Sequence, residues 1–226
     1  MHSWKRPTSF YTRQIKALSK TSEAQASTAS QPGAQNVGKL PYYDQLISFF
    51  TDHKTHPPDV RRLVHGDFKL DNLVFHKTEP RVIGILDWEM ATEGHPLSDL
   101  ANLLMPFSWE PQQVPFLTSE TLTSELEELQ SKFQPCNVAG IPSMEQCQEW
   151  YWGGVDWDAG GYLDWGVAFS NFRTAVVMQG IAARIVRGQA SGSKAREFAR
   201  QTLAYASWGY ARVEKLQQRL RLRSKI

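Results

Sequence analysis

Apolar residues in this chain recur first at helical spacing, then in short β-like runs, then at helical spacing again to the end. Between Ser9 and Lys20 the positions Phe10, Ile15 and Leu18 predict a short helix. The stretch that follows, "TSEAQASTASQPGAQNVGK", fills with Ser, Ala, Gln and Gly and predicts a flexible loop. In "PYYDQLISFFTDH" the helical pattern returns: Pro41 suits a first turn, Tyr43, Leu46, Ile47 and Phe50 share one face, and Pro57 and Pro58 close the segment. Three β-like runs come next, "RLVH", "LVFH" and "RVIGILDW", and the polar "KTEP" between the last two predicts a hairpin turn at Pro80.

From Pro96 onward the pattern is helical. Leu97, Leu100, Leu103 and Leu104 predict one helix, and "SETLTSELEELQSKF" spaces Leu122, Leu126, Leu129 and Phe133 for a second. Ser143 followed by Gln146 is a capping-box pattern opening "MEQCQEWYW". The run "LDWGVAFSNFRTAVVMQGIAARIVRG", with Trp165, Phe169, Phe172, Val176 and Ile185, is too continuously apolar for a surface helix and predicts a buried central one. A last amphipathic helix is expected from about Lys194 to Arg221. The pattern as a whole predicts an α+β fold, a small β element packed on a bundle of about five or six helices.

Composition narrows the classes. The 226 residues carry 25 basic and 23 acidic side chains for a net +2, no field that argues for nucleic acid as the partner. The two cysteines, Cys136 and Cys147, lack CxxC spacing, so a reducing compartment is expected and neither a disulfide framework nor a thiolate metal site is supported. No apolar run has the length of a membrane span, and the opening "MHSWKRPTSF" lacks a signal-peptide core. At the other end Ser224, Lys225 and Ile226 approximate the peroxisomal terminal tripeptide; a basic helix end with cytoplasmic location is the alternative.

Chemistry concentrates in "LVHGDFKLDN". Phosphoryl transfer from a nucleotide needs a carboxylate to accept the proton of the attacking hydroxyl, oxygen ligands for magnesium, and a cation on the moving phosphate. His65, Asp67 and Asn72 reproduce the H-x-D-x-x-x-x-N spacing of a kinase catalytic loop, Lys69 follows the Asp by two, and Asp87 in "ILDW" stands fifteen residues past Asn72 where a kinase has its D-F-G aspartate. A hairpin between them would bring Asn72 and Asp87 together at its open end, where both oxygens could hold one hard cation. The plainer reading makes HGD a turn with satisfied side chains. A metallohydrolase cluster of His65, Asp67, Asp87 and His95 fits less well, since this set suits oxygen coordination of magnesium better than an imidazole-rich site.

"HGDFKLDNLVF" followed by "VIGILDWEMATEGHPLSDLANLL" resembles the aminoglycoside phosphotransferase and choline kinase-like family, and within it the kinase-like domain found beside acyl-CoA dehydrogenase domains. The similarity extends over most of residues 40 to 205. It implies a protein-kinase-like fold, ATP as phosphate donor with Mg2+, and a small-molecule hydroxyl as acceptor. By position it implies Asp67 as base, His65 as orienting the loop, Lys69 as a phosphate contact, Asn72 and Asp87 as magnesium ligands and Asp99 as the brace of the catalytic loop. Glu89 is a candidate for a water-mediated metal contact. On the substrate side Trp150, Tyr151, Trp152, Arg173, Gln179 and Arg184 are candidates, although the aromatics fit a core and the arginines could equally be held in structural ion pairs. The fused relatives suggest a hydroxyacyl-CoA acceptor and association with an acyl-CoA dehydrogenase system; an aminoglycoside or choline stays open.

Residues 1–62 contain no G-x-G-x-x-G and no V-A-I-K-like strand, and hold no room for a five-stranded sheet. The expectation is therefore a C-terminal lobe alone, with residues 1–38 forming an N-terminal helix and flexible loop and residues 39–226 the lobe itself, its β-rich N-terminal partner missing. A truncated or catalytically silent lobe that binds a ligand or partner is the alternative, and an exposed apolar surface would be its mark.

Overall fold

The chain is seen in a computed structural model that describes residues 8–29, 36–109, 131–133, 138–157 and 161–223. The first helix, α1 (Phe10–Ala26), starts at Ser9, whose hydroxyl accepts from the Thr12 amide. It runs six residues past Lys20 into the Ser- and Ala-rich stretch. The reason is tertiary: Ser22 is buried and donates to the side-chain Oε1 of Gln179 at 2.8 Å, which fixes a turn that local composition would leave loose. Next comes α2 (Tyr43–Thr51), followed by the short strand β1 (Arg62–Val64). The hairpin is β2 (Leu73–Phe75) and β3 (Val82–Ile85), antiparallel with Leu73 opposite Ile85. A fourth strand, β4 (Thr92–Gly94), pairs antiparallel with β1, which puts Arg62 opposite Gly94. Nothing in the local pattern of "TEG" announces a strand; the pairing with β1, thirty residues earlier, makes it one.

The helices that follow among the described residues are α3 (Leu97–Leu104), α4 (Met144–Trp152), α5 (Leu163–Val186), α6 (Ser193–Arg200) and α7 (Thr202–Arg223). The capping box at Ser143 and Gln146 forms with both of its hydrogen bonds. A single last helix was the expectation; the observed break falls at Gln201, where α6 ends and α7 begins. The helix expected over Ser119–Phe133 falls mostly outside the described residues, as do Cys136 and the terminal Ser224-Lys225-Ile226. No helix among the described residues is long and apolar enough to cross a membrane.

The 24-residue α5, about 36 Å long, is the axis of the molecule. α1, α3, α6 and α7 all pack on it. One core joins Tyr11 and Ile15 of α1, Leu46 and Phe50 of α2, Trp165, Phe169, Phe172 and Val176 of α5, and Tyr205, Trp208 and Val213 of α7. A smaller one joins Leu97, Leu100, Ala101 and Leu104 of α3 to Leu163 and Val167. Gly166 permits the close approach of α3, since a Cβ there would lie 2.9 Å from the Leu97 Cγ and 3.0 Å from the Ala101 Cβ.

Where β4 meets α3, His95 is 2% exposed. Its Nδ1 accepts from the Leu97 amide at 3.1 Å, so Nε2 carries the proton and donates to the Pro58 carbonyl at 2.9 Å. Burial pushes its pKa below the ordinary 6.5, with smaller opposing contributions from the Pro58 carbonyl and Asp59; His56 is lowered for the same first reason. Since the folded pKa is depressed, the unfolded chain binds more protons in the window beneath 6.5. Stability is thus fully present above that value and falls as the pH drops below it. The thermal midpoint is expected to decline from pH 7 to pH 5, and H95Q should flatten that decline; an unchanged slope would remove His95 from the account.

Candidate active site

Between β1 and the hairpin the chain makes one tight loop, residues 65–72, and its shape is set by three anchors. Gly66 has φ +86°, and a Cβ there would lie 2.5 Å from the Met90 carbonyl oxygen, so no other residue fits. Asp99, in the first turn of α3, accepts from the His65 amide at 2.7 Å and from the Gly66 amide at 3.0 Å. His65 itself is buried; its Nδ1 accepts from the Asp67 amide at 3.2 Å, which leaves Nε2–H to donate to the Leu86 carbonyl at 2.7 Å. One imidazole thereby ties the loop to the end of β3. Both His65 and His95 have their ring nitrogens engaged by main chain, so neither is available as the metal ligand a hydrolase cluster would need.

The Asp67 carboxylate stands at the loop's open side. Its Oδ2 is 3.2 Å from the Lys69 Nζ and 3.5 Å from the Asn72 Nδ2; its Oδ1 has Asn102 Nδ2 at 3.5 Å and Arg173 at 4.0 Å. The Lys69–Asp67 pair is part-exposed, and pairs of that kind contribute only about 0–1 kcal/mol, so the ammonium can move to a phosphate at little cost. Arg173 comes from α5 and donates to the Gly66 carbonyl at 2.5 Å. Burial lowers its pKa, and the carboxylates of Asp67 and Asp99 oppose that effect.

Asn72 is 4% exposed and donates through Nδ2 to the Asp67 carbonyl at 2.9 Å, which leaves its Oδ1 as the free oxygen of the amide. The Leu86 amide donates to the Asn72 carbonyl at 2.8 Å, so Asn72 and Asp87 stand at the same end of the hairpin. Asp87 adopts φ 60°, ψ 48°, a left-handed conformation that non-glycine residues adopt at a cost and that concentrates at functional sites. It is exposed, while the Trp88 indole beside it donates to the Ile85 carbonyl. An amide oxygen and a carboxylate, with no thiol or imidazole, suit magnesium, which takes one or two protein oxygens and completes its shell with phosphate and water.

The remaining candidates are not brought here. Gln179 is buried about 9 Å further along α5 than Arg173, and its amide is engaged at both ends, accepting from Ser22 and donating to the Gly38 carbonyl. Arg184 is exposed near the end of the same helix. Tyr151 and Trp152 pack edge-on with Trp157, whereas Trp150 is 68% exposed and not part of the core. Glu89 sits exposed in the turn after Asp87. Conversely Asn102 joins the site unannounced; its signal was the one-turn spacing from Asp99 on α3.

A family model described as phosphotransferase enzyme family matches residues 1–129, more than half of the chain and all of the catalytic loop and hairpin. The chain belongs to this phosphotransferase family. Among solved structures, one described as an aminoglycoside phosphotransferase from Ralstonia eutropha superposes with a TM-score of 0.68 at 29% identity, covering 95% of this chain and 58% of that one. The lobe is therefore protein-kinase-like, mostly helical with its small hairpin at the catalytic loop. Similar curated proteins include acyl-CoA dehydrogenase family member 11 of Rattus norvegicus, 36% identical over 154 residues, which are 67% of this chain and 18% of the relative. Family member 10 of Mus musculus is 31% identical over 185 residues, 80% of this chain and 16% of the relative. The chain thus spans about a fifth of the length of the curated relatives it matches.

Proposed function

We propose that this phosphotransferase lobe transfers the γ-phosphate of ATP to the hydroxyl of a small molecule. The observation that carries the proposal is the convergence on one braced loop of a carboxylate, an ammonium and an amide oxygen, with a second carboxylate delivered by the hairpin. In this assignment Asp67 is the general base. Its Oδ2 is engaged by Lys69, while Oδ1, with its nearest donors at 3.5 and 4.0 Å, is the oxygen left to accept the hydroxyl proton. Lys69 shifts from Asp67 to the transferred phosphate, and Asn72 and Asp87 are the residues that would hold Mg2+, which would neutralise phosphate charge there. His65 and Asp99 touch no reactant and fix the loop, and Arg173 secures Gly66 from behind.

The acceptor proposed is a hydroxylated acyl-CoA, on the strength of the acyl-CoA dehydrogenase relatives, and a peroxisomal location from Ser224-Lys225-Ile226 would agree with it. A second reading, a lobe that binds a ligand or partner without turnover, is favoured by the exposed apolar side chains around the hairpin, among them Leu63 at 75%, Phe75 at 57% and Met90 at 54% exposure. Calorimetry separates the two. ATP should bind in a magnesium-dependent manner, and D87A should weaken that binding at least about tenfold, or 1.4 kcal/mol. Magnesium-independent binding, or none, would favour the second reading.

A further inference from the structure

We infer that Asn102 is a positioning residue for the carboxylate of Asp67, an inference that rests on Asp67 being the base. Asp99 and Asn102 are three apart on α3 and so lie on one face, a turn from each other. The loop meets that face as a sequence of donors and then acceptors. Asp99, an acceptor only, takes the amides of His65 and Gly66; Asn102 donates through Nδ2 to the Phe68 carbonyl at 3.0 Å. Asp67 is the residue between the two grips. The same Asn102 nitrogen is 3.5 Å from Asp67 Oδ1, and the Asn72 nitrogen is 3.5 Å from Oδ2.

Two neutral amides therefore flank the carboxylate, one at each oxygen, and each is itself fixed by a main-chain carbonyl, Asp67 for one and Phe68 for the other. Such an arrangement limits rotation of the carboxylate without supplying a full charge. The neutral amide matters: a carboxylate at residue 102 would stand beside Asp67 as a like charge and could not donate to the Phe68 carbonyl. An alanine would leave Oδ1 without its amide neighbour and the Phe68 carbonyl without its donor, so the loop would keep Asp99's grip on its first half only.

The test uses the whole chain with two variants and two readouts. Carbon-detected NMR at one fixed neutral pH needs no turnover; N102A should shift the Asp67 carboxyl and Phe68 carbonyl resonances while the His65 and Gly66 amides held by Asp99 stay in place. In steady-state assays N102A should lower kcat roughly 10- to 100-fold while the KM for ATP stays within about twofold. Unchanged Asp67 and Phe68 resonances in N102A, or parental kcat in N102A, overturn the inference. Should the parent chain show no turnover with any acceptor, the phosphotransfer proposal fails by itself, and the fixed-pH resonances of Asp67 and Phe68 still decide whether Asn102 positions them. Thermal midpoints identify a variant that has lost its fold, and the near-isosteric N102D, which lacks the Nδ2 donor, carries the test by the same two readouts if N102A does not fold.

Discussion

Asp67→Asn is expected to lower phosphoryl transfer by roughly 10²- to 10⁴-fold, the range a positioned general base contributes. Magnesium-dependent ATP affinity should change by no more than about threefold, because Asn72 and Asp87 supply the proposed metal oxygens and neither is altered. The substitution is close to isosteric, and the loop's main-chain anchors at Asp99 and His65 do not involve the Asp67 side chain. What disappears is the proton acceptor at Oδ1 and the partner of Lys69 at Oδ2. Loss of that partner frees the ammonium for phosphate, so a modest gain in nucleotide affinity would accompany the loss of turnover. The measurement is phosphate incorporation into an acceptor that the parent chain turns over, alongside ATP calorimetry. Parental rates in D67N would place the base elsewhere; joint loss of rate and ATP binding would mean that the carboxylate holds the loop together.

The helical scaffold was legible wherever a segment buries its own repeating apolar face. The central run containing Trp165, Phe169 and Phe172 is such a case, and so is the leucine pattern from Leu97 to Leu104. The loop at residues 65–72 was legible as a candidate because its motif names residue types at a fixed spacing, and the structure brings Asp67, Lys69 and Asn72 together there. What stayed hidden depends on partners distant in sequence. β4 exists through β1, and the last turns of α1 are held by Gln179, 157 residues from Ser22. The same pair explains why Gln179, a candidate for its burial in an apolar helix, lies apart from the loop: a polar residue in such a helix must be satisfied, and here Ser22 of another helix and the Gly38 carbonyl satisfy it. Arg173 met the same criterion, yet its partners turned out to be the loop carbonyl of Gly66 and the neighbourhood of Asp67. Burial of a polar group shows that a partner exists; topology decides whether that partner is the site.

Asp99→Ala is expected to have the largest effect on stability among the site substitutions, about 2–4 kcal/mol, because two main-chain N–H groups lose a charged acceptor at once. For a chain of this length that corresponds to a fall in thermal midpoint on the order of 5–15 °C. Turnover should vanish with it, since Gly66 and Asp67 would no longer be held in the conformation that aims the base. The informative companion is Asp99→Asn. If Asp99 acted chiefly on the helix dipole of α3, removing its charge would cost only about 0.3–1 kcal/mol, and the amide would be nearly neutral. If it acts as a two-oxygen brace, the amide oxygen can satisfy only one of His65 and Gly66 while its NH2 confronts the other N–H, donor against donor. D99N should then be nearly as damaging as D99A. A mild D99N with a severe D99A would instead show that a single oxygen is enough to hold the loop.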